Sequence, residues 1–524
     1  MPQVSFKFHG GLKLPAHKDI SSGASIRPVL VTAGQRLVIP LSQSAGAPAR
    51  AIVAAGDHVR KGQKIGAADG RISAAVHAST SGRVLAVEER RMPHPSGLSG
   101  LAVEIEADGE DLWIDHAPVD YRGLSLEDAC LALQEAGVVG MGGAVFPSHA
   151  KVPQRHAVTT LIVNGAECEP YITCDDRLMR ERAGEIVAGV RILRDLLKAE
   201  TVLIGIEDNK PEAIAAMRVA VAETGEGEIA CRVVSVPALY PAGSMKQLIR
   251  VLTGHEIPVG KLPTELGVQC FNVATAYSVA RVFLRGEPVV RRIVTLTGGV
   301  AMPGNWEVPI GMPVDQLLAL AQPVDALSGV VMGGPMMGFE VPALDVPVVK
   351  ASNCLIARVP GTFPERMPEM PCIRCGACAR ACPQDLQPFE LYWWSRARQF
   401  ERAERYRIAS CIECGCCAYV CPAHIPLVQY FRFAKGEIRT RDQERKMAET
   451  ARERFEFKQF REMREKAEKA ERLARAAAAQ AQKAAVADVS GGAPENEADT
   501  RKAVIAAALE RARKQARNAG SRQE

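Results

Sequence analysis

The sequence predicts a multidomain α/β protein, and three observations carry that prediction. The chain of 524 residues is too long for one core, since single cores stop growing near about 250–300 residues. Between about residue 120 and residue 285, short apolar runs alternate with helical patterns, the order of a parallel sheet covered by helices. From Glu437 to Ser490 there is neither glycine nor proline, the mark of one long helix. Hydrophobic content of 47% suits a folded protein, and a net charge of +5 over this length gives no reason to expect nucleic acid as a partner. The start, MPQVSFKFHGG, lacks the apolar core of a signal peptide. No stretch reaches the roughly 18 apolar residues of a spanning helix. A cytosolic chain that meets a membrane only through partners is expected.

After an N-terminal strap (residues 1–42), AIVAAGDHVRKGQKIG and HASTSGRVLAVEE read as short strands, turned at Gly56-Asp57, Gly62, Gly70 and Gly82. GDHVRKGQ and SGRV resemble the half-barrels of biotinyl and lipoyl carrier domains. Carriers hold a modifiable lysine at a hairpin tip between the halves, and AADGRISAAVHA has none. A structural docking domain over residues 43–112 is therefore expected.

In the next region TTLIVN, TVLIGI and CRVVSV read as strands. AGEIVAGVRILRDLLKA places Ile186, Val190, Leu193 and Leu197 on one helical face, and PEAIAAMRVAVAET opens with Pro211 in its first turn. Ligands of such sheets bind outside the carboxyl ends of the strands. Two stretches suit that place. Gly140-Met141-Gly142-Gly143-Ala144-Val145-Phe146-Pro147 is a glycine loop able to bring backbone N–H groups against a phosphate. Asn164-Gly165-Ala166-Glu167-Cys168-Glu169-Pro170 leaves the first strand with an amide and two carboxylates. Further on, IVTLTGGVAMPGNWEVPIGMPVDQLLALA reads as strand, turn, strand and helix.

Fifteen cysteines in a reducing compartment are not expected to pair as disulfides, and clustered ones point to metal. CIRCGACARACP (Cys372 to Pro383) and CIECGCCAYVCP (Cys411 to Pro422) repeat one pattern. It is the C-x2-C-x2-C-x3-C-P run of bacterial two-cluster ferredoxins, in which the fourth cysteine ligates the other cluster. One [4Fe-4S] cluster is thus assigned to Cys372, Cys375, Cys378 and Cys421, and the other to Cys411, Cys414, Cys417 and Cys382. The competing assignment is two tetrahedral zinc sites, whose usual form is two separated C-x2-C pairs. Cys416 fits no ligand position and reads as a small buried packer. Between the runs, PFELYWWSRARQFERAERYRIAS predicts one or two helices whose Tyr392, Trp393 and Trp394 would cover the clusters with apolar surface, as plain core rather than as an electron relay.

GMGGAVFPSHAK, VNGAECEP, YPAGSMKQLI and FNVATA, in that order, resemble the flavin- and NADH-binding domain of the complex I flavoprotein subunit. With FHGGLKLPAHK, the half-barrel, VTLTGGVAMPGNW and the doubled cysteine run, the chain to about residue 440 resembles the C subunit of the Rnf (Rsx) ion-translocating electron transport complex. The resemblance implies a barrel-sandwich-hybrid β domain and an α/β flavin/NADH-binding domain (118–288). A small ubiquitin-like α+β domain of SLBB type (290–342) follows, read here as a rigid spacer. An α-helical two-[4Fe-4S] ferredoxin domain (355–438) and a long helical tail (439–524), partly disordered, complete the chain. It also implies FMN as cofactor and NAD(H) as substrate. Gly140, Gly142, Gly143 and Lys151 would line the flavin phosphate and ribityl chain, Asn164, Glu167 and Glu169 would face the isoalloxazine and nicotinamide, and Asn272 and Thr275 would complete the pocket. Met141, Val145 and Ala166 stand where the complex I pattern has arginine, glycine and aspartate, and Val145 cannot take glycine's positive φ without strain.

The tail, with runs such as ARERFEFKQFREMREKAEKAERLARAAAAQAQKAA, predicts a solvated helix laced with (i, i+4) ion pairs. VSGGAPENEADT is expected to break it, and DTRKAVIAAALERARKQAR resembles one copy of a tail repeat found in this family; a basic contact with anionic lipid is the other reading. Together these parts predict a peripheral electron-input subunit on the cytoplasmic face of the bacterial inner membrane. Its expected partners are the other subunits of the Rnf/Rsx complex, NAD(H), and ferredoxin or another redox protein through the complex. The competing reading is a non-catalytic iron-sulfur adaptor between other subunits.

Overall fold

A computed structural model describes residues 5–152, 156–223, 230–365, 367–490 and 500–511. The chain divides into two compact units, residues 1–437 and 438–524.

Within the first unit the β domain has two antiparallel sheets. One runs Arg36–Pro40, Ser99–Ala107, Gly82–Arg91 and His58–Val59; the other runs Arg50–Ala51, Lys64–Ala67 and Val76–His77. Their inward side chains, among them Ile39, Ile65, Val84, Val103 and Ile105, are fully buried. Arg36–Pro40 falls inside the expected strap, so the β domain begins before residue 43. Arg27–Pro28, also in the strap, pairs parallel with Gly304–Pro309 of a different sheet. The strap is thus part of two sheets and not a free arm, because short segments with open backbone groups gain hydrogen bonds by joining existing edges.

The α/β region forms a four-stranded parallel sheet in the order Ala230–Val236, Thr201–Glu207, Thr160–Gly165, Val268–Asn272. Val202, Ile204, Leu161 and Val163 are fully buried, as apolar strands covered on both faces require. The helices Ala183–Leu197 and Val273–Arg285 pack so closely that a Cβ at Gly189 would lie 1.8 Å from the Ala276 carbonyl oxygen. The sheet's order brings the ends of Thr160–Gly165 and Val268–Asn272 side by side, with Asn164 opposite Asn272.

The ubiquitin-like region is larger than expected. Its sheet runs Arg27–Pro28, Gly304–Pro309, Arg291–Gly298, Cys354–Arg358, Gly329–Met332, Phe339–Glu340, with the helix Val314–Leu320. Cys354–Arg358 lies beyond the expected boundary at 342 and takes the first residues of the expected ferredoxin domain at 355. Its apolar run CLIAR fills the gap between two strands, and pairing on both edges buries it completely from Cys354 to Ala357.

The long helix expected after Glu437 begins earlier and runs Leu427–Ser490. From 443 to 486 its side chains are all exposed. Expected (i, i+4) pairs form at Arg452–Glu456, Lys458–Glu462, Arg461–Glu465 and Arg464–Glu468, 3.3–3.9 Å apart, each contributing about 0.3–0.5 kcal/mol. The expected break after 490 and the end of the tail repeat lie outside the described residues, and the part of the repeat at 500–511 is helical. No helix among the described residues is long and apolar enough to cross a membrane. Deleting residues 445–524 is expected to leave the calorimetric melting temperature of the remainder unchanged. A fall of several degrees would show that the tail stabilises the core.

Candidate functional site

The glycine loop is closed by its own backbone: Gly140 N–H donates to Phe146 O at 2.8 Å and Val145 N–H to Gly140 O at 3.1 Å. Gly142, Gly143 and Ala144 stand exposed between these bonds. Gly143 has φ +101° with open space where a Cβ would lie, so its face is free for a ligand. Val145 sits at φ +42°, the left-handed region expected to need glycine. The loop keeps that conformation despite the β-branched side chain, at a strain of about 1–3 kcal/mol. From below, fully buried Thr275 accepts the Met141 N–H at 2.9 Å, so it holds the loop and does not line open space.

The strand-end residues are brought together but are largely engaged with the protein. Asn164 Nδ2 donates to Gly243 O at 2.8 Å, and Asn272 caps its helix through Ala274 N–H while donating to Asp175 at 2.6 Å. Glu167 accepts the N–H groups of Asp175 and Asp176 at 2.7 and 3.3 Å, capping the helix Cys174–Glu181. Glu169 accepts from Met336 and Met337 N–H at 2.7 and 3.0 Å. Neither carboxylate stands free toward an open cleft, in contrast to the role implied for them. Lys151 donates to Cys270 O at 2.9 Å and lies over the Phe271 ring. Ala166 is buried; its N–H donates to Asn164 Oδ1 and its carbonyl accepts from Lys210. The loop and its open glycines fit a phosphate; the carboxylates are placed as caps.

A cleft of about 340 Å³ lies behind the loop, lined by Lys61, Trp113, Met141, Asp175, Tyr277 and Arg292 among others. None of Gly142, Gly143, Asn164 or Glu167 faces it. Most of its charges are already answered: Lys61 and Arg291 by Asp111, Arg281 by Glu287, Arg292 by carbonyls.

Lys18, in the strap, was not anticipated. Its ammonium donates to the carbonyls of Glu167, Glu169 and Ile172 and lies 4.0 Å from the Glu167 carboxylate. Burial, opposed first by Lys18, pushes the Glu167 carboxyl up to about 8. Lys18→Ala removes the buried donor shared by the Glu167, Glu169 and Ile172 carbonyls. The expected loss is about 1–3 kcal/mol of stability, read as a lowered denaturant midpoint; an unchanged midpoint overturns it.

The two cysteine runs fold alike. Arg374 and Glu413, one before the second cysteine of each run, have φ +54° and +59°; Asp385 and His424, three after the fourth, have φ +48° and +52°. Equal spacing yields equal backbone turns that aim each run's thiols inward. Two small cavities result. One is lined by Cys372, Cys375, Cys378 and Cys421, the other by Cys382, Cys411, Cys414 and Cys417. Four thiols around each void form a donor set suited to an iron-sulfur cube. Phe389 borders the first and Leu391 the second, whereas Tyr392, Trp393 and Trp394 line neither. The expected cover by those three aromatics is corrected: Tyr392 turns toward Glu369 and Tyr430, and Trp394 lies under Arg402. Cys416 is fully buried among Tyr240, Ala381 and Cys414 and lines neither cavity.

The second cavity abuts the α/β strand end. Tyr240 OH donates to Cys414 O at 2.6 Å, and Gln247 donates to Pro383 O at 3.1 Å. The first cavity reaches the surface, where Cys375 is exposed and Ile373 is 69% exposed.

Comparison with known families assigns each region. Residues 6–110 match the RnfC barrel sandwich hybrid domain, 133–281 the Nuo51 FMN-binding domain, 293–340 the SLBB domain and 371–425 a 4Fe-4S dicluster domain. Over 457 residues, 86% of this chain, it is 47% identical to the C subunit of the ion-translocating oxidoreductase complex of Pseudomonas aeruginosa. The chain belongs to the C-subunit family of ion-translocating oxidoreductase complexes. The corresponding C subunit of Serratia proteamaculans is likewise 47% identical over 456 residues. The alignments span 58% and 64% of these two relatives' own lengths. A crystal structure of NAD+-reducing [NiFe]-hydrogenase in its H2-reduced state is similar at 18% identity, covering 58% of this chain and 61% of that one, with a TM-score of 0.44.

In this member of the C-subunit family, the strap motif FHGGLKLPAHK and the stretch YPAGSMKQLI carried the missed residues Lys18 and Tyr240. Nothing local in either stretch says which distant carbonyl they reach. Asp175 had no sequence signal at all.

Proposed function

We propose that this protein passes electrons between NAD(H) and membrane partners of an ion-translocating oxidoreductase, with FMN at the glycine loop and two [4Fe-4S] clusters in the two cysteine cavities. The reading is carried by one observation: the segment after the strand Ala230–Val236, whose Gly243 carbonyl holds Asn164 at the end of Thr160–Gly165, is joined through Tyr240 to Cys414 of the second cavity. Flavin, when bound, supplies the exchange between two-electron and one-electron chemistry, and the clusters supply one-electron carriers. The chain's own residues do the positioning. Gly142 and Gly143 leave the phosphate face open, Thr275 holds the loop, and Tyr240 and Gln247 fix the α/β domain against the second run. On this reading Cys382, Cys411, Cys414 and Cys417 would hold the cluster beside the α/β domain and Cys372, Cys375, Cys378 and Cys421 the one that reaches the surface, and each would supply a one-electron carrier. Exchange with partners takes place at the exposed edge near Cys375. The protein sits on the cytoplasmic face of the inner membrane, held by the membrane partners whose ion transport it drives.

The adaptor reading is favoured by a separate observation, the use of Glu167 and Glu169 as internal caps. Anaerobic purification with iron and flavin analysis distinguishes the two. About eight irons, bound FMN and bleaching by NADH support electron input. The same iron content with no FMN and bleaching only by dithionite supports the adaptor.

A further inference from the structure

The N-terminal strap crosses from the α/β domain to the second cysteine cavity by contacts that the electron-transfer reading leaves unused. Lys18 and Ala16 hold its far end to the Glu167–Ile172 segment, where Tyr171 N–H donates to Ala16 O at 2.9 Å. Leu12 and Tyr240 exchange backbone bonds of 2.7 and 2.9 Å, and the same Tyr240 donates its hydroxyl to Cys414 O. Gly11 N–H then donates to Ala381 O at 3.2 Å. His9 Nδ1 lies 2.8 Å from Cys382 O. A carbonyl oxygen only accepts, so Nδ1 carries the proton and donates.

Gly10 makes the close approach possible. Its φ is +65°, and a Cβ there would lie 2.7 Å from the Ala381 backbone and 2.9 Å from Cys382 C. The second cavity is therefore braced at three ligand carbonyls by side chains: Cys382 by His9, Cys414 by Tyr240, and Cys411 by Lys435 at 2.6 Å. The first cavity has a weaker brace at its exposed edge, where Arg380 donates to Cys375 O at 3.3 Å.

We infer that the strap is a positioning device for the second cluster, in which His9 orients Cys382, the ligand donated by the other run, and tunes that cluster's reduction potential. The inference rests on the cluster reading above. Groups just outside the ligands orient them, and their loss costs about 10- to 100-fold in metal affinity. A hydrogen-bond donor close to a cluster also favours the more negative, reduced state. His9 acts through Cys382 and touches no reacting atom.

The experiment uses the full chain, purified anaerobically, with a Cys372→Ser background to isolate the second cluster and a Cys411→Ser background to isolate the first. Redox titration followed by electron paramagnetic resonance gives each midpoint, and iron release to a chelator gives each cluster's retention. His9→Ala is expected to shift the second cluster's midpoint to more negative potential and speed its iron release on the order of 10-fold, with the first cluster unchanged. His9→Gln, which keeps an N–H donor, is expected to restore both values. Gly10→Ala is expected to reproduce the faster release. Unchanged midpoints and release in iron-loaded His9→Ala overturn the inference, as do equal shifts in both clusters, which would mean general loosening. A wild-type chain that binds no iron overturns the cluster reading itself and the inference with it.

Discussion

Cys382→Ser is expected to remove the cluster of the second run, about four of eight irons, and to leave the cluster of the first run intact. Cys421→Ser does the reverse. The cause is the lining of the two cavities: Cys382 shares one with Cys411, Cys414 and Cys417, while Cys421 shares the other with Cys372, Cys375 and Cys378. Each run's fourth cysteine follows a helical turn, Ala377–Ala381 or Cys416–Tyr419, that carries it away from its own first three. Iron counts and electron paramagnetic resonance spectra of the two variants, set beside Cys372→Ser, check the outcome. A Cys382→Ser spectrum that matches Cys372→Ser would rule out the crossed ligand sets.

The second large effect is at the glycine loop. Gly143→Val is expected to lose FMN while keeping both clusters, so that dithionite still bleaches the protein and NADH no longer does. Gly143 has φ +101° and open space above it; a β-branched residue is strained there and fills the approach of a phosphate to the backbone N–H groups. Hydrogen bonds to a charged group contribute about 1.5–3 kcal/mol each, so losing one lowers affinity about 10- to 100-fold. Full FMN occupancy in Gly143→Val would move the flavin elsewhere. Val145 shows that this loop tolerates one left-handed β-branched residue, at φ +42°. Its side chain, however, packs toward the core, whereas Gly143 faces open space.

Local pattern made much of this protein legible. Alternating apolar runs located the strands Thr160–Gly165, Thr201–Glu207 and Ala230–Val236, because a buried parallel strand is a short continuous apolar run whatever surrounds it. The cysteine spacing marked both runs and the exchange of their fourth members, since a fixed spacing on a fixed turn aims thiols the same way twice. The roles of Glu167 and Glu169 were not legible. A carboxylate at a strand end looks the same in sequence whether it faces a ligand or holds the N–H groups of a helix start or a turn, and only the approach of Asp175, Met336 and their neighbours decides which.

What the sequence determined alone is therefore what depends on near neighbours: strand and helix identity, the doubled ligand spacing, the charged helix after Glu437, and the glycine loop. What the tertiary structure decided depends on pairs far apart in the chain. Arg27–Pro28 and Arg36–Pro40 joined two different sheets, Cys354–Arg358 filled a gap in a sheet begun much earlier in the chain at Arg291–Gly298, and His9 reached Cys382 across 373 positions. Backbone hydrogen-bonding groups are the same at every residue, so an open sheet edge or an unpaired carbonyl can be met by many segments of one chain. Which segment meets it is settled by the packing of the whole unit, where burial leaves each polar group with one partner it can reach.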